Sequence, residues 1–177
     1  PEEVRRKIGF LTSELKLEDF FTPDYLYDFF SELYGIPTDR RDARKRMLFA
    51  RFGIQEFAQV RVRDLSTGMK QKVSLVISLV QDPEIIIFDE PTNGLDILTA
   101  KVVTDFLLDL KEHGKTIIIS THIFSLVEKI CDRVGIIING RMAACEDLRT
   151  LCGDKSLEDR FFEIYEAVNG EDENHDK

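Results

Sequence analysis

The sequence predicts an α/β fold: a core built on a parallel sheet, with a helical subdomain inserted into it. Three observations carry this. The run Ile85-Ile86-Ile87-Phe88 ends in Asp89-Glu90, and an uninterrupted apolar run rich in Ile suits a strand buried on both faces. Strand-like and helix-like stretches then alternate from Ile85 to Ile138, the pattern of a parallel sheet with covering helices. By contrast, the stretch from Leu15 to Val80 is mostly helical in its periodicity. The expected division is residues 1–14 as the end of a core strand with its following loop, 15–82 as the helical subdomain, 83–150 as the α/β core, and 151–177 as a C-terminal helix with an acidic tail.

Composition bounds the function classes. The chain has 177 residues, 43% of them hydrophobic and 32% charged, as in ordinary globular proteins. A formal net charge of −9 argues against nucleic acid as a partner of the bulk surface. Arg40, Arg41, Arg44, Lys45 and Arg46 form one local basic cluster, expected to be a solvated helix face. No apolar run reaches the length of a membrane span. Cys131, Cys145 and Cys152 lack metal-ligand spacing, and an odd count suits buried thiols in a reducing compartment.

The elements follow in order. Ile8 to Leu11 reads as a short strand ended by Thr12-Ser13-Glu14. Thr22-Pro23 starts a helix, Thr as the cap and Pro at the first helical position. Tyr25, Leu26, Phe29, Phe30 and Leu33 repeat at helical spacing up to Gly35 and are expected to face the core. Thr38 or Asp39 is the expected cap of a second helix, which Gly53 ends. Ser66 is the expected cap of a third, whose buried stripe is Val73, Val76, Ile77 and Val80. Its N-terminus would expose backbone N–H groups and a partial positive charge, and Gly68 removes a side chain where a phosphate could approach.

After Asp82-Pro83 comes the strand from Ile85, stopped by Pro91 and Gly94. Asp89 and Glu90 thus sit at the carboxyl edge of the sheet, where open α/β folds bind ligands. Two carboxylates there are costly unless a cation or polar group compensates them. A magnesium ion bridging nucleotide phosphates would do so, while the second carboxylate polarises an attacking water. Leu98 to His113 reads as a helix and Thr116 to Ser120 as a second buried strand. A helix from Ile123 to Cys131 and a third strand from Val134 to Ile138 follow. Asn139-Gly140 is a strong hairpin signal, with Arg141 to Cys145 returning. Glu146 onward is expected to be helical, with a last amphipathic helix from Ser156 and a disordered tail from Gly170.

These pieces in this order resemble the nucleotide-binding domain of ATP-binding-cassette (ABC) proteins. Leu65-Ser66-Thr67-Gly68-Met69-Lys70-Gln71 resembles the family's signature motif, with Thr67 where Gly is commoner. Ile85 to Glu90 resembles the Walker B strand, Thr92-Asn93-Gly94-Leu95-Asp96 the D-loop, and Ser120-Thr121-His122 the switch-histidine motif. The resemblance implies a P-loop NTPase-like core, ATP and Mg2+ as cofactors, and a head-to-tail dimer with a second nucleotide-binding domain. It implies Asp89 in the metal shell, Glu90 and His122 as catalytic groups, and Ser66, Thr67, Gly68, Met69 and Asp96 as nucleotide-binding residues at the dimer interface. It also implies a transmembrane permease subunit as partner, hence a cytoplasmic protein held peripherally at the inner face of the plasma membrane. The ending Ser156-Leu157-Glu158-Asp159-Arg160-Phe161-Phe162 resembles the close of bacterial exporter subunits, including the sodium-export type.

Two departures stand out. No G-x-x-x-x-G-K-[ST] occurs in the chain, so the core is expected to be incomplete and the chain to be a family member without its N-terminal phosphate-loop portion, inactive alone. The place of the family's Q-loop, near Thr12-Ser13-Glu14, has no Gln. The expected function is the ATP-hydrolysing subunit of an ABC transporter, of export type. The alternatives are a catalytically inactive interaction module and a non-transport ABC ATPase.

Overall fold

The computed structural model describes residues 7–11 and 17–175, with side chains described to residue 170. Thr12-Ser13-Glu14, the expected Q-loop position, lies outside the described residues. The chain divides into two compact units, Pro1–Thr121 and His122–Lys177.

The first unit holds a three-stranded parallel sheet in the order β1 (Ile8–Leu11), β2 (Ile85–Asp89), β3 (Thr116–Ser120). Its register aligns Leu11 with Phe88 and Phe88 with Ile119, and Gly9 with Ile86 and Ile86 with Ile117. That face is the buried one: Leu11, Ile86 and Phe88 are all sealed from solvent. Gly9 has to be glycine, because a Cβ there would lie 2.7 Å from both Pro83 Cγ and the Ser78 carbonyl oxygen. The opposite face carries the row Phe10, Ile87, Ile118. Phe10 is 57% and Ile118 54% exposed. The expectations that the Ile85–Phe88 run is buried on both faces and that Thr116–Ser120 is a buried strand are therefore corrected: Ile85 and Ile87 are half-buried and Ile118 is exposed. β3 ends the strand order, and its Ile118 face is open.

Between β1 and β2 lie α1 (Pro23–Leu33), α2 (Thr38–Phe52), two 3-10 turns (Ile54–Phe57 and Val62–Asp64) and α3 (Thr67–Ser78). Thr22 caps α1, its side chain accepting from the Tyr25 N–H at 3.2 Å, with Pro23 opening the helix. α2 is entered differently from the sequence expectation. Pro37 holds the cap position with no side-chain hydrogen bond, and Thr38 is already helical. The proline ring fixes φ near the value a helix entry needs, and its own φ is −56°. Gly53, at φ 66°, closes α2 as expected.

The buried side of α1 is Pro23, Leu26, Tyr27 and Ser31. Tyr27 packs edge-on against Phe49 at 5.6 Å between ring centroids, and burial pushes its hydroxyl up to about 12. Tyr25, Phe29 and Leu33, expected in the core, are instead exposed. α1 is apolar on more than one side, and helical period alone does not select which side packs. Phe21, Tyr25 and Phe29 stack in sequence (4.5 and 6.3 Å between centroids) along a groove of 870 Å³, whose other side includes Ile8, Phe10 and Ile77.

The basic cluster on α2 is largely neutralised by acidic neighbours. Lys45 pairs with Asp24 and Asp28, Arg41 with Asp28 and Asp42, and Arg44 with Asp82. α4 (Ile97–Glu112) packs through Phe106, which meets Phe52 edge-on at 5.0 Å while Arg51 sits over its ring at 4.9 Å.

The second unit contains α5 (Phe124–Ile130), β4 (Arg133–Ile138), β5 (Arg141–Asp147), α6 (Leu148–Cys152) and α7 (Leu157–His175). The third expected strand is β4, and it pairs antiparallel with β5 rather than entering the parallel sheet. Asn139 (φ 50°) and Gly140 (φ 74°) make the turn, whose twist matches a tight hairpin. Ile136, Ile138, Leu151 and Leu157 form this unit's core. Asp147 ends β5 and caps α6, so helix begins at Leu148 rather than Glu146. α7 continues through His175, past the point where sequence composition suggests disorder.

Candidate nucleotide site

The carboxylate pair sits at the C-terminal end of β2, as the apolar run demands. Asp89 is the last strand residue and pairs in register with Ser120. Glu90 leaves the strand with φ 50°, the left-handed region that residues other than glycine seldom adopt. Its N–H still donates to the Ser120 carbonyl at 2.9 Å. Two hydroxyls of β3 and the residue after it meet the two carboxylates. Ser120 Oγ donates to Asp89 Oδ1, and Thr121 Oγ1 donates to Glu90 Oε2 at 3.1 Å. Sequence reasoning assigned no role to either hydroxyl. The signal available was a Ser-Thr pair at the end of one parallel strand beside an Asp-Glu pair at the end of its neighbour.

The chain then turns tightly. Pro91 and Thr92 are buried, the Asn93 N–H donates to the Glu90 carbonyl at 3.1 Å, and Gly94 takes φ 71°. Asp96 caps α4: Oδ1 accepts from the Thr99 N–H at 3.0 Å and Oδ2 from Thr99 Oγ1 at 2.7 Å. The Thr99 backbone bond, then its hydroxyl, hold the Asp96 carboxyl below its ordinary value.

Ser66 caps α3, Oγ accepting from the Met69 N–H at 3.3 Å. Thr67 is exposed, the first turn has no acidic residue, and a Cβ on Gly68 would meet nothing within 4 Å. The structure thus gathers Ser66, Thr67, Gly68 and Met69 at one open helix N-terminus with its partial positive charge. Asp89, Glu90 and Asp96 are gathered along one strand end and its turn. His122 is exposed and opens the second unit.

Among the described residues, no three or more His, Cys, Asp or Glu cluster as a metal cage. The Asp89 carboxylate at the strand end is the kind of oxygen donor magnesium takes alongside phosphate oxygens and water.

A parallel sheet, a carboxylate pair at its carboxyl edge and a Ser-capped open helix terminus define a P-loop NTPase-like α/β protein. A family model described as ABC transporter matches residues 1–93. The ABC transporter ATP-binding protein NatA of Bacillus subtilis (strain 168) is 38% identical over 160 residues, covering 90% of this chain and 65% of that protein. A solved ATP-binding subunit of an ABC transporter superposes with TM-score 0.86 at 28% identity, covering 93% of this chain and 70% of that one. A dimeric ATP-binding cassette in a post-hydrolysis state with ADP and Pi superposes with TM-score 0.73 at 25% identity, covering 84% and 66%. The chain belongs to the ABC transporter ATP-binding family. It spans about two thirds or less of the length of the curated relatives it matches.

Proposed function

We propose that these residues are the larger part of the ATP-hydrolysing subunit of an ABC transporter of the export type. The observation that carries this is the Asp89-Glu90 pair at the end of β2, each carboxylate held by a hydroxyl of the Ser120-Thr121 pair. Asp89 would hold Mg2+, which supplies charge neutralisation for the phosphates. Glu90 orients and polarises the attacking water. His122 contacts the terminal phosphate and reports its presence. Ser66, Thr67, Gly68 and Met69 present backbone N–H groups and a helix terminus to the ATP held by a second subunit, in a head-to-tail dimer with Asp96 at its interface. The export direction rests on the resemblance of Ser156 to Phe162 to exporter subunits.

The division into a core strand end (1–14), a helical subdomain (15–82), an α/β core (83–150) and a C-terminal helix (151–177) belongs to this reading. So does the groove beside Phe21, Tyr25 and Phe29, which receives the transmembrane permease and so holds the subunit at the cytoplasmic side of the membrane. Among the described residues no helix is long and apolar enough to cross a membrane.

The test is Glu90→Gln in the full-length subunit. ATP binding persists and turnover falls by several orders of magnitude. Near-normal turnover would remove Glu90 from the reaction.

A second reading applies to the 177 residues by themselves: an interaction module without turnover. It is favoured by the lack of G-x-x-x-x-G-K-[ST] among them and by the exposed apolar side chains of Phe10 and Ile118. A phosphate loop supplies several charge-assisted hydrogen bonds, each about 1.5–3 kcal/mol. About 1.4 kcal/mol is a tenfold change in affinity, so their loss removes useful binding. Calorimetric titration of this chain with magnesium-ATP tests it: saturable binding near micromolar would overturn this second reading.

A further inference from the structure

We infer that Thr121 is a positioning residue that sets the Glu90 carboxylate for its reaction, an inference that rests on the reading of Glu90 given above. The geometry has three parts. Glu90 stands at φ 50°, outside the strand conformation of Asp89 before it, so the strand does not by itself aim its side chain. Glutamate also has three rotatable side-chain bonds, and a carboxylate that must meet a water in one orientation needs an external hold. Thr121 Oγ1 supplies one, 3.1 Å from Glu90 Oε2.

The hold is rigid at its other end. Threonine is branched at Cβ and stiff about χ1. Its preceding residue is fixed twice to the same carboxylate segment, through the bond from the Glu90 N–H to the Ser120 carbonyl at 2.9 Å and the bond from Ser120 Oγ to Asp89. Thr121 is half-buried, which strengthens the bond relative to one in water. A carboxylate has two oxygens and about four acceptor sites, so a donor at Oε2 leaves it the capacity to act on water. Thr121 therefore acts through Glu90.

The test uses the full-length subunit and four variants: Thr121→Val, Thr121→Ser, Glu90→Gln, and Thr121→Val with Glu90→Gln. Valine keeps the shape and removes the hydroxyl; serine keeps the hydroxyl. Thr121→Val lowers kcat by about 10–100-fold with the KM for ATP near that of the wild type. Thr121→Ser restores most of the loss. In the Glu90→Gln background, Thr121→Val changes neither the residual rate nor the equilibrium affinity for ATP. Wild-type kcat in Thr121→Val would overturn the inference, as would failure of serine to rescue, a further loss in the double variant, or an effect confined to KM. High turnover in Glu90→Gln alone would overturn the underlying reading instead, whatever Thr121→Val does.

Discussion

Arg44 Nη2 lies 3.0 Å from Asp82 Oδ1, joining α2 to the turn that precedes β2. Lys115, just before β3, approaches the same Asp82 oxygen at 2.8 Å and also donates to the Asp82 carbonyl at 3.2 Å. One carboxylate thus ties the inserted helices to two strands of the sheet. Asp82 itself has φ 56°, a conformation that Asp and Asn tolerate better than most residues.

This node makes a pH-dependent contribution to stability. Burial works to raise the Asp82 carboxyl, but the Lys115 hydrogen bond and the Arg44 and Lys115 charges outweigh it and hold the group below its ordinary value. The contribution is therefore complete above the unfolded carboxylate value of about 3.9 and is lost as pH falls through the lower folded value. Asp82→Asn keeps the backbone conformation and removes the charge. With 39% of the side chain exposed, solvent screening keeps the cost at neutral pH to about 1 kcal/mol. A thermal melt should show a Tm lower by about 2–4 °C at pH 7. Below about pH 4 the difference from wild type should shrink.

Ser66 can be asked to separate capping from phosphate binding. Aspartate caps a helix as well as serine, so Ser66→Asp should leave folding stability within about 1 kcal/mol of the wild type. It also places a negative charge at the terminus proposed to meet a phosphate. In the full-length subunit, ATPase activity should fall at least about tenfold, from like-charge repulsion at close range. Unchanged turnover would detach this helix terminus from the nucleotide.

The aromatic stripe on α1 makes a third case. Tyr25 is 48% and Phe29 46% exposed, so about half of each residue is covered. Tyr25→Ser and Phe29→Ser should each cost about 1–2 kcal/mol in folding stability, little enough to leave the subunit folded. Co-purification of the full-length subunit with the proposed permease partner should nevertheless drop sharply, because aromatic side chains dominate binding surfaces. Undiminished co-purification would place the permease elsewhere.

The parts of this protein legible from sequence are those fixed by chemistry within a few residues. Ser66 and Thr22 announce helix starts because their hydroxyls satisfy backbone N–H groups three residues on. Asn139-Gly140 announces a hairpin because both residues accept positive φ. The carboxylate pair is visible because an Ile-rich run leads straight to it. What the sequence hides depends on partners far along the chain. Tyr25 and Phe29 share a helix with Leu26, and only the packing of α1 decides that Leu26 goes inward. The hydroxyls of Ser120 and Thr121 matter only once the β2–β3 register sets them beside Asp89 and Glu90. The exposure of Ile118 depends on what packs on that side of the sheet, which the strand's own residues do not encode.

The pairing of β1 with β2 has a consequence for how the chain reaches its fold. β2 and β3 are joined by the single crossover helix α4, so their pairing closes a short loop. β1 must wait for a partner on the far side of α1, α2 and α3. The entropy of closing that longer loop is recovered only when the sheet contacts form. During synthesis Ile8–Leu11 emerges before Ile85–Asp89, so its pairing with β2 forms only after the three intervening helices are made. Among these three strands, loop length favours β2–β3 pairing before β1–β2 pairing. Gly9, fitting against Pro83 and Ser78 without a side chain, is the contact that registers its arrival.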